Sequence, residues 1–267
     1  MTTPVGQENS ISYGAYPVPY TNGLMITNDA TTPNTLLDIG SGVTLDSTDT
    51  FQMINNGTIV INAATKGLNG IDTGTLAASK VYAVFLISDP ITLQPIGGMI
   101  SLSTTAPLMP FGYSAFKLIG YAATDASSHF LLGYWTAGEG NSRRVFMYDA
   151  PQATAVTAGA STSYANVDLT KFVPLPPAGG NRPVWIATNF SANAAADTLK
   201  LQPGNATGDA ITITAPVVAG TAHVTTNSYL MSQTVAISTV PSPTINYKVS
   251  SGSDAVAINV AGYEWFI

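Results

Sequence analysis

Phe51-Gln52-Met53-Ile54, then Asn55-Asn56-Gly57, then Thr58-Ile59-Val60-Ile61 is the stretch on which the fold class turns. Two short runs of β-branched and apolar residues flank an Asn-Gly pair. Asn-Gly tolerates the positive φ of a tight turn, so the stretch reads as a β-hairpin. The same grammar extends in both directions. Lys80–Ser88 is apolar on both faces and reads as a central strand, with Val81–Ile87 the longest apolar run of the chain. Met99–Thr104, Phe116–Tyr121, His129–Trp135 and Arg144–Tyr148 follow, and Thr124–Ser128 forms a turn between the second and third of these. Beyond residue 150 the strand candidates are Tyr164–Leu169, Val184–Thr188, Thr198–Leu201, Ala210–Thr214, His223–Thr226, Leu230–Ser238, Ile245–Val249 and Val256–Tyr263. Turn signals such as Gly179-Gly180, Pro203-Gly204 and Gly208-Asp209 separate them. No stretch of ten residues carries a helical period with caps, and Ser191–Asp197 reads as an Ala/Asn loop.

The expected fold is therefore all-β, with two antiparallel β-sandwich domains preceded by an extended N-terminal arm. Residues 1–24 form the arm, in which Pro17 and Pro19 hold the backbone extended between Tyr16 and Tyr20. Residues 25–150 form the first sandwich. Residues 151–267 form the second, which reads as jelly-roll-like. The small-residue run 150–163 around Pro151 and Gly159 is a linker or an extended first strand. One echo links the two halves: Gly133-Tyr134-Trp135 near the end of the first and Gly262-Tyr263-Glu264-Trp265 at the end of the second.

Composition narrows the function. The 267 residues are 45% hydrophobic and only 9% charged, with nine Lys+Arg against fifteen Asp+Glu and a net charge of −6. Nine scattered bases give no footprint for nucleic acid, which needs clustered cations to displace counterions. The same shortage disfavours an acidic membrane surface, and no apolar run approaches the eighteen residues of a membrane-spanning helix. Residues 1–8 lack a basic stretch followed by an apolar one, so no secretory leader is expected. With no cysteine there is no disulfide, no thiolate metal site and no cysteine nucleophile.

The chain offers little for catalysis. The two histidines, His129 and His223, lie 94 residues apart, each within an apolar strand candidate, and no Gly-x-Ser-x-Gly elbow accompanies them. Most aspartates, among them Asp46, Asp49, Asp72, Asp89, Asp125 and Asp209, stand beside turn residues, where a short carboxylate bonds the local backbone. Glu139, within Gly138-Glu139-Gly140, is the one acid placed for catalysis, and it reads first as an exposed loop residue. Asp38, Asp46 and Asp49 lack the spacing of a calcium loop. Arg143-Arg144 is the only basic pair and reads as a solvated loop or an ion-pair partner at an interface. The expectation is a non-enzymatic chain without cofactor or metal. Twenty-four aromatics, twelve of them Tyr, suit recognition through surface contact.

The order of three passages resembles a known family. They are Gly23-Leu24-Met25-Ile26-Thr27-Asn28 and its continuation to Thr50, Gly67-Leu68-Asn69-Gly70-Ile71-Asp72 and its continuation to Pro90, and Pro107-Leu108-Met109-Pro110-Phe111-Gly112-Tyr113 with Phe116–Tyr121. Over residues 23–135 they resemble a β-rich module of virion proteins of tailed bacteriophages: tail fibres, collar or baseplate pieces, head fibres and capsid decorations. The second half looks like the jelly-roll sandwiches such proteins append. The resemblance implies a structural part of the virion, assembled in the host bacterial cytoplasm and exposed on the particle. It also implies a homo-oligomer, often a trimer. The arm, through Tyr13, Tyr16 and Tyr20, is then the attachment to another virion protein, and a host surface glycan or protein is the outward partner. A tail-associated role leads. A capsid decoration or head fibre, and a carbohydrate-binding sandwich, are the alternatives. No family residue carries over as a functional one.

Overall fold

The computed structural model describes residues 21–91, 95–137, 143–149, 153–175, 183–194, 196–204, 211–214, 229–236 and 243–266. All regular structure among them is β. The arm tyrosines Tyr13, Tyr16 and Tyr20, and also Glu139, Asp209 and His223, lie outside the described residues.

The Asn-Gly stretch is not a hairpin. β5 (Gln52–Asn55) pairs with β4 (Gly42–Leu45), whereas β6 (Ile59–Asn62) pairs with β3 (Leu36–Ile39) in a different sheet. The chain crosses from one sheet to the other at residues 56–58, and neither Asn56 nor Gly57 takes a positive φ. The same crossing occurs between β3 and β4, and between β1 (Thr21–Gly23) and β2 (Ile26–Asn28). Three arches are thus stacked, with β1-β4-β5 on one side and β2-β3-β6 on the other. The stacking satisfies the corner backbones. Leu24 N–H donates to Ser41 O at 2.9 Å and Gly40 N–H to Met25 O at 2.9 Å. Asn55 Nδ2 donates to Gly40 O at 2.9 Å and to Gly57 O at 2.7 Å. The tight first corner uses positive φ at Gly23 and Leu24. The arches enclose Leu24, Ile26, Ile39, Met53 and Ile61 in one core. Pairing β5 with β6 would lay Met53 and Ile61 side by side in one sheet instead of packing them across a sandwich.

Beside the arches lies the sheet β10-β8-β9-β7, made of β7 (Gly70–Ile71), β8 (Val81–Ser88), β9 (Gly97–Ser101) and β10 (Ala115–Ala123). β8 is central and buried on both faces, as its apolar run requires. Tyr82, Val84 and Leu86 enter the main core, while Ala83, Phe85 and Ile87 form a second, outer cluster with Met99 and Tyr121. Ser47 N–H donates to Phe116 O at 2.7 Å and joins this sheet to the arches. The strand after Ser128 starts later than the sequence pattern suggests: β11 is Gly133–Ala137, and His129 stands half-exposed in the turn before it.

The second half has the strand order of a jelly roll. Its eight strands are β13 (Thr154–Gly159), β14 (Ala165–Asp168), β15 (Pro183–Ser191), β16 (Thr198–Pro203), β17 (Ile211–Thr214), β18 (Tyr229–Ala236), β19 (Thr244–Val249) and β20 (Ala255–Phe266). One sheet runs β14-β19-β16-β17; in the other, β20 carries β13 on one side and β15-β18 on the other. The chain alternates between the sheets except at β16–β17, the connection pattern of two interleaved Greek keys.

One strand welds the two sandwiches together. Residues 256–259 of β20 pair with β13, and residues 262–266 pair with β12 (Arg143–Tyr148) of the first half. The result is a continuous nine-stranded sheet across residues 25–150 and 151–267. The Gly-Tyr-Trp echo acquires a place here, because β11 and β20 flank β12 on opposite sides. A Cβ at Gly133 would strike the Phe146 ring, and one at Gly262 would strike the Phe146 carbonyl. Both glycines leave Phe146 room to pack at 5.1 Å from Trp135 and 5.4 Å from Tyr263.

Candidate interaction surface

The carboxylates are accounted for largely by turns. Asp29 accepts from the Thr31 and Thr32 backbones, and the N–H groups of Thr32 and then Thr31 hold it below the usual carboxylate range. Burial raises Asp46, but hydrogen bonds from Thr48 Oγ1 and from the backbones of Phe51, Thr50 and Thr48 outweigh it and leave the carboxyl low. Asp125 caps Ser127 and His129, and Asp168 caps Thr170. Asp49 faces Lys117 at 3.4 Å. Asp197 and Asp254 share Ser250 and tie the loop before β16 to the turn before β20. Asp38 differs: burial, with the Asp29 charge second, raises its carboxyl, and its Oδ1 is buried with no hydrogen-bond partner. Among the described residues no three metal-ligating side chains converge.

The basic pair divides its work, and only half of it follows the sequence expectation. Arg143 makes an ion pair with Glu264, which is itself buried. Arg144 is not solvated: it is 2% exposed and bonds three backbone carbonyls, those of Leu24 at 2.8 Å, Ile119 at 3.1 Å and Gly23. Burial pushes its guanidinium down to about 10, which leaves it a cation at neutral pH. Its fork closes the first arch corner against β10 and β12, a use of Arg that a single-point ammonium cannot match.

The distinctive surface lies on the outer face of β10-β8-β9. Loop 102–114 crosses it, with Met109 and Tyr113 packed on the outer cluster. The loop is pinned rather than loose. Asp72 Oδ2 accepts from Ser101 Oγ at 2.6 Å and from Leu108 N–H at 3.3 Å, and Tyr113 donates to Pro95 O at 2.9 Å. From this fixed loop and its neighbours apolar side chains point to solvent: Phe111 fully, Ile91 at 83%, Leu108 at 64% and Leu102 at 57% exposure. Beside them is a groove of about 380 Å³ between Phe85, Phe116, Leu118 and Trp265, rimmed by Ser47 and Thr104. Singly exposed apolar residues are ordinary, but clusters of them mark contact sites. Sequence reading missed the surface because Phe116 and Leu118 alternate like core residues. One signal was available: Leu108, Met109 and Phe111 sit among Pro107 and Pro110, where no strand can bury them.

A second concavity, of about 620 Å³, opens where the halves meet. Its wall is polar, with Asp125, Asn166, Asp168 and Lys171, and Tyr247 and Phe172 add aromatic surface. Both carboxylates on this wall are already engaged by their own turns.

No family model matches this chain. Comparison with curated proteins and with solved structures likewise returns no match. The apolar surface and the cleft therefore rest on their own geometry.

Proposed function

We propose that the chain is a non-enzymatic structural protein of a bacteriophage particle, a tail-associated fibre, spike or collar component that assembles as a homo-oligomer, with a trimer favoured. One observation carries this reading: large apolar side chains, Phe111, Ile91, Leu108 and Leu102, exposed to solvent on a chain with 9% charge. A solitary protein of that composition has weak colloidal protection, whereas copies that cover the patch remove the problem. The part of the arm that precedes β1, residues 1–20 with Tyr13, Tyr16 and Tyr20, is the tether to a neighbouring virion protein, and the jelly-roll half projects towards the host surface. Immunogold labelling of intact particles with antibody to the jelly-roll half tests the location. Label on the tail supports the reading, label on the capsid moves it to a decoration or head fibre, and unlabelled particles overturn it.

The 620 Å³ cleft favours a second reading, a carbohydrate-binding sandwich. Its amide, hydroxyl and aromatic lining suits a neutral sugar, and its volume lies within the roughly 300–1,000 Å³ of ligand sites. Calorimetric titration with host cell-surface polysaccharide decides it: binding lost in Asn166→Ala supports this reading, and no heat of binding removes it.

A further inference from the structure

All four residues of β14 line the 620 Å³ cleft, whereas its ladder partner β19 contributes only Tyr247. The cleft therefore lies off the side of β14 that pairs with no described strand. The phase of the β14–β19 ladder fixes which backbone groups face it. Leu169 N–H donates to Pro243 O at 2.9 Å, one step beyond the Asp168–Thr244 pair. Leu169, Val167 and Ala165 thus turn their N–H and C=O groups towards β19. Asn166 and Asp168 turn theirs towards the open edge, and no described residue takes these four groups. Neither proline nor bulge blunts that edge.

The rest of the lining is fixed and already satisfied. A Cβ at Gly159 would strike the Tyr247 ring, so the two sheets touch at that end of β13. At its other end β13 contributes Thr154, Ala155 and Val156 to the cleft. The first half supplies the turn Thr124–Ala126, held by Ser79 N–H on Asp125 O at 2.8 Å. Phe172 and Tyr247 add apolar surface, and Asp125 and Asp168 accept hydrogen bonds within their own turns. Lys171, just after β14, is the only base on the lining and makes no ion pair among the described residues.

The open donors and acceptors recur at every second residue of β14, a repeat of about 7 Å. An extended polypeptide carries N–H and C=O groups side by side at the same repeat, so it can close all four bonds at once. We propose that the cleft accepts an extended polypeptide strand from another chain. The strand pairs antiparallel with the open edge of β14 and lays apolar side chains against Phe172 and Tyr247. Its N-terminal end lies past Asp168, where an acidic residue meets Lys171. The inference goes beyond the virion reading and stands without it. A glycan in the same cleft is an outcome that overturns it.

A yeast-displayed library of random peptides, panned on the full-length protein, supplies the probe. Enriched peptides are expected to alternate apolar residues behind a leading Asp or Glu. A selected peptide, made synthetically and N-methylated at one backbone position at a time, should lose binding in calorimetry at alternate positions only, because one edge of it is engaged. Asn166→Pro removes a donor from the open edge without touching the β14–β19 ladder and should weaken the peptide about tenfold or more. Asn166→Ala keeps the backbone N–H and should stay within about twofold of the parent. Lys171→Ala should weaken it about threefold and reduce its salt dependence. No enrichment, N-methyl losses without alternation, or equal binding to Asn166→Pro and the parent would each overturn the strand. So would host polysaccharide that binds the parent and not Asn166→Ala. If the proline variant does not fold, the N-methyl scan decides alone. None of these readouts depends on where the protein resides, so failure of the strand site and failure of the virion reading are separable.

Discussion

Arg144→Met removes the fork that closes the first arch while keeping a long apolar stem in the core. Three carbonyls, on Gly23, Leu24 and Ile119, then lose their donor in a site that is 2% exposed. Each unsatisfied buried acceptor costs about 1–3 kcal/mol, so the loss is of order 3–9 kcal/mol. Against this, the variant no longer buries a cation. Depression of the guanidinium from 12.5 to about 10 corresponds to ~3 kcal/mol returned. The net expectation is destabilisation by about 3 kcal/mol at pH 7. Urea unfolding followed by far-ultraviolet circular dichroism reads it directly. With an m-value of about 3 kcal/mol/M, the midpoint should fall by ~1 M with the slope unchanged. Arg144→Lys keeps the charge and loses the planar fork, so most of the loss should persist in it. Buried charges are often replaceable by apolar residues without penalty. A Met variant as stable as the parent would therefore refute the assignment of Arg144 as the clasp of the arches.

Three further outcomes follow from the same geometry. Burial lifts the Tyr148 phenol well above its ordinary value of 10, and its hydroxyl donates to Phe172 O at 2.5 Å. The folded state keeps that proton after the unfolded state loses it, so stability should be level below about pH 10 and fall above it, and Tyr148→Phe should cost ~1 kcal/mol at pH 7 and flatten the alkaline fall between paired urea titrations. Asp46 is held low, so its contribution is present above its unfolded value and lost as pH drops through the lower folded one; Asp46→Ala should cost about 2–3 kcal/mol at pH 7 and make acid unfolding less steep below about pH 4. Gly133→Ala drives a methyl into the Phe146 ring and should cost about 1–3 kcal/mol in thermal unfolding, whereas Gly57→Ala, with no atom within 4 Å, should stay within ~0.5 kcal/mol.

The jelly-roll half was legible because its strands alternate cleanly: β15 and β19 bury every second residue, and period-2 patterning reports that burial directly. The arches were not. The Asn55-Asn56-Gly57 signal marks a reversal and says nothing about the partner strand, and the partners were chosen by packing Met53 and Ile61 across a core. The short strands β1 to β4 carry too few residues for a period to show. Arg144 reads in the sequence as one of two surface bases, and only the convergence of three distant carbonyls makes its burial tolerable. The acids were the most legible polar groups, since an Asx turn is built from neighbours in the chain: Asp46, Asp72, Asp89 and Asp125 all bond residues within five positions. The apolar surface was hidden for the opposite reason. Phe116 and Leu118 belong to an outer face that looks like core in one dimension, and its exposure depends on where loop 102–114 stops covering it.

On the proposed reading, the exposed apolar residues Leu108 and Phe111 are covered by copies of the same chain. Sedimentation equilibrium of the full-length protein, beside the Leu108→Ser, Phe111→Ser double variant, measures it most directly. An assembly of three times the 27.6 kDa chain mass is expected for the parent, and for the variant a monomer that keeps the β-type circular dichroism of the parent and unfolds at lower urea, because it lacks the stabilisation that association supplies. A parent that stays monomeric across the concentration range, or a variant that assembles as the parent does, would contradict it.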